Sequence, residues 1–391
     1  MTGNRVLLAY GFRPFFPLAA LWLAIAPVPW LLALLGIGPE WPLALPIHQW
    51  HGHELLFGGF AAALAGFLLT ALPAWTGARP ITGRALLALV LLWLAGRIAS
   101  LSGETVGPPW AMVVDAAFLP VLLVAVVSRR GSHRPPIDLL LAAGLLSLLP
   151  LASHLAIAGW LPVSPAAILR LGAGIYLILI GMTLRRILPV VATHAALTAG
   201  LRPFRARPGR EPLAIWTLIL FVAADTFAPL APATGWLALG AAAAQLERLA
   251  DWPPPRAWRY GPIALLVLVQ VWLVLGLVLR AWCALDGTLP AYTGRHALLV
   301  GTMGTAVLAV LGIAGLRHTG RALHVPFPLA ATAVLLTIAA ALRTAVPLWL
   351  PGHYVTLGAG AALLAWGAAW LLWLLHYGPW MARPRVDGYP G

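Results

Sequence analysis

Trp50-His51-Gly52-His53-Glu54-Leu55-Leu56-Phe57-Gly58 decides how this chain is read. Two imidazoles and a carboxylate stand at the mouth of an apolar run that continues to about residue 75. A helix rising 1.5 Å per residue needs about 20 apolar residues to cross a hydrocarbon core of roughly 30 Å. The run is long enough, so the stretch marks a membrane span with ionisable groups at its edge. Such groups are costly to desolvate, and by default they point to function.

The rest of the chain is of the same kind. Of its 391 residues 61% are hydrophobic and only 9% are charged, where a soluble domain carries roughly a quarter. Lipid is therefore its solvent. In lipid every backbone group must pair internally, and the apolar runs lack the alternation of barrel strands. The predicted fold is all-α: a polytopic integral membrane helical bundle.

About twelve spans follow from the apolar runs, with approximate limits 18–37, 55–75, 85–102, 110–128, 137–157, 166–188, 213–230, 233–250, 261–281, 296–316, 326–347 and 353–377. Turn signals fall between them, among them Gly38-Pro39, Arg134-Pro135-Pro136, Pro253-Pro254-Pro255 and Pro351-Gly352. A basic linker at about 189–212 holds Arg202, Arg205, Arg207 and Arg210 and separates helices 1–6 (about 18–188) from helices 7–12 (about 213–377). The whole is read as one membrane domain over 1–391, without a convincing internal repeat.

The formal net charge is +14, and all 25 basic residues are arginine. The arginines sit in short loops between apolar runs, which excludes a nucleic-acid surface and fits the positive-inside rule. With the N-terminus in the cytoplasm, roughly 20 arginines fall inside and 5 outside, namely Arg97, Arg170, Arg280, Arg295 and Arg343. A wrong span count would scramble that ratio, so both termini are predicted to be cytoplasmic. The first span follows Arg5 and Arg13 and reads as a retained helix. The single Cys283 excludes an intramolecular disulfide, a Cys-rich zinc site and the Cys-x-x-Cys-His haem attachment motif.

The topology sorts the eleven histidines by depth. His48, His51, His53, His154, His296 and His353 fall on the outer side; His133, His194, His318, His324 and His376 on the inner. His296 and His318 are 22 residues apart, or about 33 Å along a helix, and cannot ligate one metal. The outer group is the candidate site, because imidazole beside an apolar, partly dry site is a common ligand for haem iron and copper. His48 and His51 share a helix face at i,i+3 while His53 points elsewhere. His296 could contribute from another helix, with Met303 two turns deeper. Glu54 could orient an imidazole or carry a proton.

Blander readings stand beside these. An interfacial histidine often caps a helix, Met303 can simply pack, and Cys283 can be a small buried hydrophobe. The outer arginines can snorkel to headgroups or pair with carboxylates such as haem propionates. Asp115 and Asp225, inside apolar runs, must be neutral, paired or water-exposed.

Several pieces resemble the NnrS family. They are Gly11-Phe12-Arg13-Pro14-Phe15-Phe16, Trp50-His51-Gly52-His53-Glu54, Gly66 through Gly77, Arg186-Ile187-Leu188-Pro189, His296-Ala297-Leu298 with Gly301-Thr302-Met303-Gly304-Thr305, His318-Thr319-Gly320-Arg321, and Tyr377-Gly378-Pro379. They run in order through nearly the whole chain. The resemblance implies a bacterial inner-membrane protein of about twelve spans, containing haem b and copper and linked to nitric oxide and nitrosative stress. It carries over at His51, His53, Glu54, His296 and His318. It departs at Gln270, where a histidine is expected, and at Leu311-Gly312-Ile313-Ala314-Gly315 before Leu316-Arg317-His318, which lacks the usual Thr-Arg pair.

The functional expectation is a haem and copper protein for the response to, or relief of, nitric oxide stress. Its cofactor-binding candidates are His51, His53 and His296, with His48 and His318 added as metal candidates and Glu54 behind them. Nitric oxide is the expected ligand, and the electron donor is unspecified. Turnover, trapping and sensing of the gas all stay open. The alternative is a twelve-helix transporter of a small molecule, metal or haem, built around Asp115 and Asp225.

Overall fold

The computed structural model describes residues 6–38, 41–103, 107–129, 131–205 and 209–389. Arg5, Pro39 and Arg207 lie outside the described residues, as does Arg130, one of the arginines counted on the inner side. Among the described residues the regular structure is helical throughout, with no strand. The helices are α1 (Phe12–Leu34), α2 (Ile47–Thr76), α3 (Gly83–Leu101), α4 (Pro108–Val127), α5 (Ile137–Ile157) and α6 (Pro165–Thr198). They continue with α7 (Glu211–Phe227), α8 (Pro232–Arg248), α9 (Gly261–Leu285), α10 (Tyr292–His318), α11 (Phe327–Trp349) and α12 (Pro351–Met381).

Ten of these are long and apolar enough to cross a membrane; α7 and α8, at 17 residues each, are shorter. Proline in the first turn starts α4, α7, α8, α9 and α11. Its fixed φ suits a helix start, and its missing N–H has no intrahelical partner to lose there. Proline inside a helix is also tolerated: α6 runs through Pro189 to Thr198, because neighbours in a membrane can satisfy the freed carbonyl. The connection to α7 is therefore shorter than the sequence suggests.

The chain divides into two compact units. The first holds Met1–Gly172, Ala314–Ala322 and Gly367–Gly391; the second holds Ala173–Ile313 and Leu323–Trp366. In the first, α1 packs on α2, α3 on α4 and α4 on α5. In the second, α8 packs on α7 and α9, and α9 packs on residues Ala297–Met303 of α10.

The surface is unlike that of a protein in water. Trp110, Trp236, Phe227, Phe327 and Trp349 are exposed, while Arg13, Glu54, Arg97, Gln270 and Arg280 are buried. So much exposed apolar surface, with charged side chains buried instead, is stable only against hydrocarbon. The protein is an integral membrane protein.

Among the described residues, three stretches have π-helical hydrogen bonding: Glu54–Phe60 in α2, Ala297–Met303 in α10 and Tyr354–Ala361 in α12. Each directly follows a histidine: His53, His296 and His353. A π turn widens the helix and is rare outside functional sites.

Candidate metal centre

The first unit buries a charged cluster drawn from five helices. On α2, His53 and Glu54 are consecutive, yet both are 0% exposed. The π turn that begins at Glu54 supplies the widening that lets both point inward. Trp22 comes from α1, Arg97 and Ser100 from α3, Asp115 from α4 and His154 from α5.

Arg97 is the hub. Its Nη1 donates to Glu54 Oε2 at 2.5 Å, and its Nη2 donates to Asp115 Oδ1. Trp22 Nε1 adds a bond to Glu54 Oε2 at 2.9 Å, and Ser100 Oγ donates to Oε1 at 2.7 Å. The guanidinium also lies 5.9 Å from the ring centroids of Trp22 and Trp93. Two carboxylates held by one guanidinium leave a net charge of −1, sealed from water. In a low-dielectric interior that charge must be met by a proton or by a metal cation.

The donors for a metal stand on the far side of Asp115. His154 Nε2 is 2.8 Å from Asp115 Oδ2, and His53 Nε2 is 3.2 Å from the same oxygen. The three ligand atoms lie within 4.8 Å of one another. Both ring nitrogens of His53 lack a hydrogen-bond partner among the described residues. His53 Nδ1 is 3.5 Å from Glu54 Oε1, an ion-pair distance rather than a hydrogen bond. An imidazole enclosed with two unbonded nitrogens is costly unless something else uses them. Two imidazole nitrogens and one carboxylate oxygen form a set that suits Cu(II), Fe(II) or Zn(II).

Gly58 closes the centre. A Cβ there would stand 2.5 Å from Trp22 Nε1 and 2.7 Å from Arg97 Nη1. Gly58→Ala is therefore expected to push Trp22 and Arg97 off Glu54 and to cost about 1–3 kcal/mol, the usual range for overpacking. A lowered melting temperature in detergent checks this; an unchanged one would show that the contact yields freely.

The other sequence candidates sit elsewhere. His48 is exposed, and His51 stacks on Trp30 at 4.8 Å. His296, in the second unit, faces the Tyr292 carbonyl with Nδ1 at 2.8 Å, and its Nε2 is 2.6 Å from Arg343 Nη2. Nδ1–H donates to the carbonyl, and Nε2 accepts from the guanidinium. His318 packs its ring against Phe12 at 5.5 Å, and Met303 is fully buried. Gln270, where a histidine is expected, donates Nε2 to Gln245 Oε1 at 2.9 Å and clasps α9 to α8. Asp225 pairs with Arg280, whose Nη2 is 2.5 Å away.

Sequence reasoning placed His154 on the outer side without choosing it as a ligand. It also read Arg97 as a headgroup or propionate partner. Arg97 is instead 2% exposed and bound to two side-chain carboxylates. The available signal was the pair of acids, Glu54 and Asp115, in apolar runs, which demands a buried cation somewhere.

No curated protein matches the chain. The family model described as NnrS protein matches residues 6–385, nearly its whole length. The chain belongs to the NnrS family, and membership supports a membrane protein connected, broadly, with nitric oxide.

Proposed function

We propose that the chain is a multi-pass protein of the bacterial inner membrane that binds copper and acts in the response to, or relief of, nitric oxide stress. The observation that carries the reading is the convergence of His53, His154 and Asp115 on one buried point. When bound, copper supplies a coordination position for nitric oxide and a one-electron couple. The chain's own residues prepare that position. Arg97 occupies Asp115 Oδ1 and so turns Oδ2 toward the imidazoles. Glu54, fixed by Trp22 and Ser100, holds Arg97 in place and sets a carboxylate beside His53 Nδ1. A carboxylate beside the other nitrogen of a metal-binding imidazole fixes the ring's orientation and raises its basicity.

Haem b is the second proposed cofactor, with His51 in the first unit or His296 in the second as its candidate ligand. His53 fits a small ion better than haem as arranged, since Asp115 stands against its Nε2. His296 would have to exchange the Arg343 guanidinium for iron. Electrons for any turnover come from an external donor. The transporter reading loses support, because both carboxylates that motivated it are paired, Asp115 with Arg97 and Asp225 with Arg280.

The proposed topology has twelve spans, with α7 and α8 at 17 residues each completing the ten longer ones, both termini cytoplasmic and the His53 cluster toward the outer face. A green fluorescent protein fused after residue 391 is expected to fluoresce, and alkaline phosphatase fused there to stay inactive. The reverse pattern would refute the orientation.

The function is tested on protein purified from its own membrane without chelators. One copper per chain is expected, together with a pyridine-haemochrome signal and a spectrum that changes when nitric oxide is added to the reduced form. A fully loaded protein with an unchanged spectrum would rule out direct binding of the gas.

A further inference from the structure

A second site stands at the other end of α2, where no metal donor set gathers among the described residues. The turn after Thr76 and the loop joining α4 to α5 enclose a cavity of about 250 Å³ in the first unit. Leu68, Leu72, Val126 and Leu140 line it on the apolar side, and Arg79 and Arg129 line it beside the loops. His133 also borders it, and no carboxylate does, among the described residues. Neither Arg79 nor Arg129 has a side-chain hydrogen bond or ion pair among the described residues. Both are exposed and lie just past the C-terminal ends of α2 and α4.

The loops are held before any ligand arrives. His133 N donates to the Thr76 carbonyl at 3.0 Å, and Ser132 Oγ approaches the same oxygen at 3.4 Å. Gly131 makes this possible: a Cβ there would fall 2.1 Å from that oxygen. These contacts tie residues 131–133 to the end of α2 ahead of binding, which lowers the ordering cost of a ligand.

We propose that this cavity binds an anionic phospholipid. The phosphate sits between the guanidiniums of Arg79 and Arg129, and the first methylenes of an acyl chain lie against Leu68, Leu72 and Val126. Three features select this ligand class. The guanidinium fork matches phosphate oxygens. Two guanidiniums in a lining without a carboxylate, among the described residues, favour a net anion over a zwitterion. The apolar wall of Leu68, Leu72, Val126 and Leu140 rewards a hydrocarbon tail, which a free phosphate lacks.

Native mass spectrometry of the full chain, released from micelles holding equal phosphatidylglycerol and phosphatidylcholine, tests it. Retained phosphatidylglycerol is expected. Arg79→Gln with Arg129→Gln should weaken retention roughly 30-fold, the product of two surface arginine contacts. Arg79→Lys with Arg129→Lys should weaken it less. Arg256→Gln with Arg259→Gln, outside the cavity, should leave it unchanged. Leu72→Phe, which fills the cavity while keeping both charges, should also lower retention, so the test survives if the glutamine variant fails to fold. Equal retention of phosphatidylcholine would overturn the proposal. So would loss of the lipid to millimolar inorganic phosphate, which would mark a free-anion site, or full retention by both the glutamine and the Leu72→Phe variants.

Discussion

His154→Ala is expected to strip the metal centre, while His51→Ala leaves it loaded. His154 Nε2, at 2.8 Å from Asp115 Oδ2, is one of three donors. Removing even an outer partner of a metal ligand costs roughly 10–100-fold in affinity, and a direct ligand costs at least the upper figure. Copper affinity should therefore fall by about 100-fold or more. Competition against a chromogenic chelator reads this directly. His51 is the control from the same helix turn, because its ring lies on Trp30. Asp115→Asn should behave like His154→Ala. Wild-type affinity in His154→Ala would discard the centre, and loss of copper in His51→Ala alone would move it to the helix mouth.

Arg97→Met should be the most destabilising single change in the first unit. It leaves Glu54 and Asp115 buried without their shared counter-ion. Breaking a buried ion pair costs about 3–5 kcal/mol, since an uncompensated charge remains. Here two acids are stranded, so the upper end is expected. Arg97→Lys should recover little, because an ammonium is a point charge and cannot fork to two carboxylates. The triple change Arg97→Met, Glu54→Gln and Asp115→Asn should regain much of the loss, as replacing a whole buried charge set is often nearly neutral. Thermal unfolding in micelles separates these cases. If Arg97→Met melts with the wild type, the charged hub contributes nothing to holding the helices.

Much of the architecture was legible because crossing hydrocarbon leaves a one-dimensional record. Apolar run length locates α3, α5 and α9 within a few residues. The wet side of a helix end is harder to read, and α6 runs past its expected stop because Pro189 does not break it. The centre was legible only in part. His53 and Glu54 announce themselves as polar groups in an apolar run. Asp115 and His154 lie 39 positions apart on different helices, and no periodicity links them. Their meeting exists only after α4 packs on α5. Arg97 looked like a headgroup anchor because its two acids lie on other helices. The π turns left no trace at all: Leu55-Leu56-Phe57 is apolar in any helical register.

Those wide turns have a consequence for how α2 can change. A π segment is an ordinary helix with one residue too many, so the portions before and after Glu54–Phe60 are out of rotational phase. Deleting Leu55 alone would restore common winding and swing His53 by about 100° relative to the lower half of the helix. The lower half would keep its seat while the imidazole left the carboxylate. One codon thus separates a chain that presents this ring inward from one that does not, and the same holds for the helix beginnings after His296 and His353.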